Sequence, residues 1–229
     1  MNFQYSSYGI IPLISAIIVL TMAVYCYRKR SSRLYLYASI LGISVFLWCF
    51  GLAMEFFSTQ MWVNISWNKI SYIGAAIAPF MWFILVLEYG KYEEYLKSAY
   101  LRLLMVLPLI IIIVAFTNEW HGLLWPSIIQ ISNQSTALLI YEHGPLFWIT
   151  VIYSSIMILT GATILIRLFK TSAKIYRLQI FILILSGLIP MISSIIYISN
   201  IINIPGFDFT PFGLTIAVIL IAISIFTFF

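Results

Sequence analysis

The run I-S-W-N-K-I-S-Y-I-G-A-A-I-A-P-F-M-W-F-I-L-V-L-E-Y at residues 65–89 decides the fold, because it is almost entirely apolar over a length that can cross a bilayer. An α-helix rises about 1.5 Å per residue, so about 20 apolar residues match a hydrocarbon core about 30 Å thick. No water satisfies the backbone in lipid, and an unbroken apolar run of this length favours a helix over a barrel strand. We therefore predict a transmembrane helix over 65–89.

The rest of the chain has the same character, since 63% of its 229 residues are hydrophobic and only 8% are charged. Soluble proteins carry about 25% charged residues, and their surfaces present polar groups over much of their area. This composition excludes a soluble domain. Working outward from the first run, we predict an all-α membrane protein with seven transmembrane helices, at 8–27, 34–57, 65–89, 100–116, 145–169, 176–200 and 210–229.

Basic residues indicate the orientation of these helices, because they accumulate on the cytoplasmic side of a membrane. The loops after the first, third and fifth predicted helices hold Arg28, Lys29, Arg30, Arg33, Lys91, Lys97, Arg102, Arg167, Lys170, Lys174 and Arg177. The opposite side holds only Lys69. This bias predicts an outer N-terminus and a cytoplasmic C-terminus. The net charge of +5 is then a signal of topology, and no nucleic-acid partner is expected.

Small residues recur at helical spacing in two of the predicted helices. They are Ser71, Gly74, Ala75 and Ala78 in the third helix, and Ser186, Gly187, Ser193 and Ser194 in the sixth. Faces of this kind let helices approach closely in lipid. The pattern predicts close helix packing at both places.

The longest polar interruption, residues 117–143, separates the fourth and fifth predicted helices and contains no lysine or arginine. It begins T-N-E-W-H-G-L-L-W-P-S and ends Y-E-H, before G-P-L-F-W opens the next helix. Residues 127–132 and 137–141 are β-prone and flank Asn133-Gln134-Ser135. We predict a small outer cap over the helix ends, containing a β-hairpin.

Two charged residues lie at the outer ends of neighbouring predicted helices. Glu55 is near the end of the second helix, and Lys69 is in the first turn of the third. A short loop makes the helices antiparallel neighbours, so an ion pair between Glu55 and Lys69 is plausible. Charges within a span are costly and often functional, whereas snorkelling near the interface is cheap. A structural pair and a ligand-binding role both remain open.

Both histidines lie in the outer segment, and each has an acidic residue nearby. His121 follows Glu119 by two positions, and His143 follows Glu142 directly. Imidazole and carboxylate are the groups of metal and pH-sensing sites, but none of the short histidine motifs of metal sites is present. Capping and loop anchoring are the better interpretation. We predict no metal site and no cofactor.

Several activities lack their required groups. The seventh predicted helix contains no lysine for a retinal Schiff base, and no predicted helix carries paired histidines for a haem. No Ser/His/Asp set, HExxH motif or pair of intramembrane aspartates is present. We therefore do not expect these 229 residues to be an enzyme.

Several runs resemble the N-terminal seven-transmembrane sensor region of microbial histidine kinases. They are W-N-K-I-S-Y-I-G-A-A-I-A-P-F-M-W-F at 67–83, P-L-I-I-I-I-V-A-F-T-N-E-W-H-G-L-L-W at 108–125, G-P-L-F-W with Tyr153 at 144–153, and Y-R-L-Q at 176–179 followed by Pro190. The resemblance implies a signal-input domain whose cytoplasmic end passes a signal to a PAS, kinase or cyclase module. No such module follows in these 229 residues, so an excised sensor region or a member with a separate partner is expected.

The sequence therefore predicts a seven-helix sensor of an extracellular or membrane-borne cue, working through its last helix and within a homodimer. The residues predicted to sense the cue are Glu55, Lys69, Asn118, His121, Trp125 and Trp148. The tryptophans also fit an interfacial aromatic belt. Two other functions remain open, a small transporter or channel and a membrane scaffold subunit without a ligand.

Overall fold

A computed structural model describes residues 4–30, 32–133, 136–199, 201 and 208–228 of the chain. Its helices are α1 (Ser7–Arg28), α2 (Arg33–Phe57), α3 (Met61–Tyr89), α4 (Glu93–Leu96), α5 (Ala99–Leu104), α6 (Val106–Phe116), α7 (Asn118–His121), α8 (Pro145–Thr171), α9 (Lys174–Ile198) and α10 (Thr210–Phe228). Its two strands are β1 (Ile128–Asn133) and β2 (Thr136–Tyr141).

Six helical segments of the described residues are long and apolar enough to cross a membrane, with α5 and α6 together forming one of them, 99–116. The seventh predicted helix, α10, is apolar, but its stretch Thr210–Ser224 is shorter than the other six segments. All seven apolar runs are therefore helical. The third helix starts at Met61, four residues before the predicted position, because Met61, Trp62, Val63 and Asn64 continue the helix.

The fourth predicted helix is broken near Met105, where α5 ends and α6 begins. Pro108 lies in the first turn of α6 and has no N–H to donate to the carbonyl four residues earlier, that of Leu104. The hydroxyl of Tyr153 donates to this carbonyl instead, at 3.0 Å. Pro108 therefore lies in the first turn of α6, and Tyr153 of α8 satisfies the carbonyl that the proline leaves free.

Five helices pack side by side in the order α2, α3, α8, α9 and α10, and α10 returns to α2. This ring leaves a space along its axis, whereas α1 packs outside it on α2 and α10, and α6 packs outside it on α3. The predicted small faces make the ring tight. A methyl group on Gly74 would overlap the carbonyl oxygen of Ser44 on α2, and one on Gly213 of α10 would overlap the hydroxyl of Ser193 on α9.

The predicted hairpin is present at one end of the ring. Strands β1 and β2 pair antiparallel, with Ile128 opposite Tyr141 and Asn133 opposite Thr136. The loop before it is tied to the start of α8, because Gly144 donates its amide to the carbonyl of Leu124 at 3.0 Å. Any side chain at Gly144 would collide with the carbonyl of Leu123. This close approach brings the end of β2 over the helices α2 and α3, with which it is in contact.

Candidate functional site

A cavity of about 470 Å³ lies inside the ring of five helices. Each of α2, α3, α8, α9 and α10 contributes to its wall, and Trp125, Ile140, Tyr141 and His143 close the end beneath the hairpin. Small-molecule sites occupy about 300–1,000 Å³ and combine a mostly apolar wall with a few polar groups. The cavity has a volume in this range and a mostly apolar wall, and its ionisable groups lie near the hairpin.

Glu55 provides a buried carboxylate at this end, with only 6% of the residue exposed. One carboxylate oxygen accepts a hydrogen bond from the amide of Asn68 at 2.9 Å, and the other accepts from the hydroxyl of Tyr141 at 2.8 Å. Burial and the nearby Glu55 carboxylate hold the pKa of Tyr141 well above its ordinary value, so the phenol remains a donor. The hairpin is thus joined to α2 through a side chain of the cavity.

The plausible ion pair between Glu55 and Lys69 is not formed. The ammonium of Lys69 pairs instead with Glu119 of α7 and donates to the carbonyl of Phe116 at 3.3 Å. Successive helical residues point about 100° apart. Asn68 therefore reaches Glu55 from the cavity side of α3, while Lys69 turns toward α6 and α7. The hydrogen bond from Lys69 lowers the pKa of Glu119. Because Glu119 is exposed, its pair with Lys69 contributes little stability.

Two further aromatic rings, those of Trp125 and Tyr72, lie beside Tyr141, the residue that donates to Glu55. Trp125 is 3% exposed, and its ring meets Tyr72 edge-on at a centroid distance of 4.8 Å and lies 5.2 Å from Tyr141. These three rings form one wall of the cavity's polar end, and they come from α3, β2 and the loop of residues 122–127 between α7 and β1, which we call the cap loop. The sequence therefore builds this wall from three separate segments.

Two further titratable groups complete the polar end. His143 stacks on Phe147 at a centroid distance of 3.7 Å, and its Nε2 lies 3.3 Å from the hydroxyl of Tyr197. Burial lowers the pKa of His143, which favours the neutral ring. Asp208 accepts a hydrogen bond from the amide of Thr210 at 2.8 Å, before α10, and burial raises its pKa.

Trp82 lies at the other end of the cavity. Its ring nitrogen donates to the hydroxyl of Ser186 at 3.0 Å, which links α3 to α9. The ring lies directly against Gly161 of α8 and Gly187 of α9, where a methyl group would overlap it. Two glycines thus make room for one large ring between three helices.

The predicted residues Asn118 and His121 hold the cap loop together. The side-chain oxygen of Asn118 accepts from the amides of Leu124 and Trp125 at 3.0 and 3.1 Å, and its nitrogen donates to the carbonyl of Trp125 at 2.9 Å. His121 accepts from the amide of Leu123 at 3.0 Å through Nδ1, beside Gly122, whose φ is +60°. These contacts agree with the capping and anchoring interpretation of His121.

The six predicted sensing residues do not share one site. Glu55 and Trp125 line the cavity. Lys69, Asn118 and His121, again with Trp125, line a second pocket of about 450 Å³ beside α7. Trp148 lines neither pocket and is 46% exposed.

Sequence reasoning missed several residues that line the polar end of the cavity, namely Asn68, Tyr72, Tyr141, Tyr197 and Asp208. An available signal was the spacing of Asn68 and Tyr72, which puts both on one helical face. Asp208 is also of a residue type whose side chain bonds the backbone amide two residues on, here that of Thr210 at the start of α10. Within the described residues, no group of three or more His, Cys, Asp or Glu side chains is placed to hold a metal ion.

Six membrane-length helices and a further apolar helix, five of them arranged around a ligand-sized cavity, define a polytopic membrane protein. Residues 11–228 match the family model described as the N-terminal 7TM region of histidine kinase, and the chain belongs to that family. The predicted family resemblance and the membrane location are thereby confirmed. No curated protein matches the chain. The 229 residues contain this sensor region, and no kinase domain is found in them.

Proposed function

We propose that this region is the ligand-binding input domain of a membrane receptor. A cue from outside the cell or from the membrane enters the cavity, changes the packing of α10 and so sets the activity of a cytoplasmic kinase, PAS or cyclase module. The functional assembly is a homodimer. Family membership supports the role in signal input.

The observation that carries the proposal is that α10 forms part of the cavity wall. Thr210, Leu214, Ala217 and Val218 all line the cavity, so an occupant touches the last helix directly. A ligand shifts a conformational equilibrium only through a difference in affinity for the two states. Direct contact with α10 provides such a difference if α10 changes position between them.

The proposal requires α10 to lead into the cytoplasm, as the bias of basic residues predicts. Trp120 and Tyr100 test this orientation, because they are 86% and 81% exposed and the predicted topology puts them on opposite sides of the membrane. We expect a cysteine at Trp120→Cys to react with a membrane-impermeant maleimide on intact cells. We expect one at Tyr100→Cys to react only after permeabilisation. Both cysteine variants are made in a protein whose two native cysteines, Cys26 and Cys49, are replaced by alanine. The reverse labelling pattern would contradict the topology.

Filling the cavity tests the binding role. Ser155 of α8 lines the cavity, and a phenylalanine there would occupy part of the space that a ligand needs. We expect Ser155→Phe, in the chain joined to its kinase module, to reduce the response to the natural cue about tenfold or more, since losing about 1.4 kcal/mol of binding is a tenfold change. The measurement is kinase autophosphorylation in proteoliposomes exposed to membrane extracts or culture medium that activate the wild type.

The adjacent residue provides the matched control. Ile156 is 53% exposed on the outer face of α8 and does not line the cavity. We expect Ile156→Phe to respond as the wild type does. Equal responses from Ser155→Phe and the wild type would argue against binding in the cavity.

A further inference from the structure

The polar end of the cavity contains two acidic side chains and no lysine or arginine. Glu55 and Asp208 supply carboxyl groups that interact electrostatically, and the side-chain oxygen of Asn68 is buried without a hydrogen-bond partner. All twelve lysine and arginine residues fall in the described ranges, and none of them lines the cavity. This end therefore lacks a positive charge to balance its acidic groups.

We propose that the cavity binds a hydrophobic organic cation, with an ammonium-type head beside Glu55 and an apolar body extending toward Trp82. This inference rests on the proposed function and names the chemical class of the cue.

The environment of Glu55 is the first reason. An ionised carboxylate has about four acceptor positions, and two neutral donors, Asn68 and Tyr141, each use one at Glu55. Neutral donors bring no compensating charge, and a charge buried without a counter-charge is costly, so an ionised Glu55 requires a cation beside it. His143 does not supply one, because burial lowers its pKa and favours the neutral form. A ligand cation would supply the missing charge.

The aromatic wall is the second reason. Tyr72, Trp125 and Tyr141 lie around the same end, within ring distances of 4.8 and 5.2 Å of one another. The faces of such rings attract cations, and aromatic side chains beside a carboxylate are the usual surroundings of bound ammonium groups. An anionic ligand would instead meet two carboxyl groups and electron-rich rings.

The rest of the cavity sets the body of the ligand. The wall between the polar end and Trp82 includes the apolar side chains Leu41, Val45, Leu214 and Val218. A volume of about 470 Å³ far exceeds the space that a bare inorganic cation needs, and its apolar wall offers such an ion few ligands. The occupant that fits is an amphiphile with one positive end.

Three probes of the same shape and different charge test this proposal. They are 4-phenylbutyltrimethylammonium, its neutral analogue with a tert-butyl group in place of the ammonium, and 4-phenylbutylsulfonate. Binding to the chain in nanodiscs, corrected for binding to empty nanodiscs, is measured by quenching of tryptophan fluorescence. We expect the wild type to bind the ammonium probe about tenfold or more tightly than the neutral one, since a desolvated cation–π or ionic contact is at least this strong.

Two acidic variants and a control locate the effect. We expect Glu55→Gln, which retains an acceptor for Tyr141, to abolish the preference for the ammonium probe, and Asp208→Asn to reduce it. Glu119→Gln removes an exposed acidic group outside the cavity, so the preference should persist.

If the wild type binds the neutral or the anionic probe as tightly as the ammonium probe, the ligand class is overturned but cavity binding stays intact. An unchanged preference in both acidic variants would overturn the proposed position of the charge. If no probe binds, the ligand class fails, whereas the response of Ser155→Phe decides the binding role of the cavity.

Discussion

Replacing Gly74 by alanine is expected to separate α2 from α3 and to destabilise the protein strongly. The added methyl group would overlap the carbonyl oxygen of Ser44 and lie 2.8 Å from the amide nitrogen of Trp48. Both atoms belong to the backbone of α2, so only a movement of the whole helix relieves the overlap. Overpacking costs about 1–3 kcal/mol or more, which exceeds the gain of about 1 kcal/mol in helix propensity. The melting temperature in nanodiscs should therefore fall.

Gly9→Ala is the matched control, because it adds the same methyl group to a helix. Its nearest neighbours, at 2.9 Å, are atoms at the far end of the Phe57 ring, which can rotate away. We expect a much smaller fall in melting temperature for Gly9→Ala than for Gly74→Ala. Equal melting temperatures of Gly74→Ala and the wild type would show that α2 and α3 are not packed this closely.

The close contact at Gly74 was predictable from the sequence because it depends on a local signal. Ser71, Gly74, Ala75 and Ala78 share a helical face, and packing in lipid rewards such faces. The hydrophobic runs and the hairpin were predictable for the same reason, since each is encoded within a few turns of chain. The break near Met105 is also local in origin, because Pro108 cannot bond to the carbonyl of Leu104.

The cavity depends on contacts between segments that are far apart in the chain. Tyr141 reaches Glu55 only because the hairpin is held over α2 and α3, through the close approach at Gly144. Sequence proximity instead suggested Lys69 as the partner of Glu55. The short loop correctly indicated that α2 and α3 are neighbours. The rotation of α3 about its axis, however, places Asn68 beside Glu55 and directs Lys69 toward Glu119. No pattern within α3 alone determines that rotation.

Gln179→Leu is expected to uncouple the proposed output from the cavity. Gln179 is 1% exposed near the start of α9. Its side-chain oxygen accepts from the hydroxyl of Tyr89 at 2.9 Å, and its nitrogen donates to the carbonyl of Ser224 on α10 at 3.2 Å. These bonds join α3, α9 and α10 at the end of the bundle away from the hairpin, where the proposed topology puts the cytoplasm. If a ligand displaces α10, either the hydrogen bonds of Gln179 break or α9 and α3 move together with α10.

The size of the effect follows from the two hydrogen bonds. Each contributes about 1 kcal/mol, and about 2 kcal/mol corresponds to a change of roughly thirtyfold in a coupling constant. In the chain joined to a kinase module, we expect Gln179→Leu to bind cavity ligands as the wild type does while losing most of the ligand-dependent kinase activity in proteoliposomes. Tyr89→Phe removes only one of the bonds and should lose an intermediate share. A wild-type response from Gln179→Leu would show that the signal reaches the output by contacts other than this one, and a loss of binding would place Gln179 in the stability of the cavity instead.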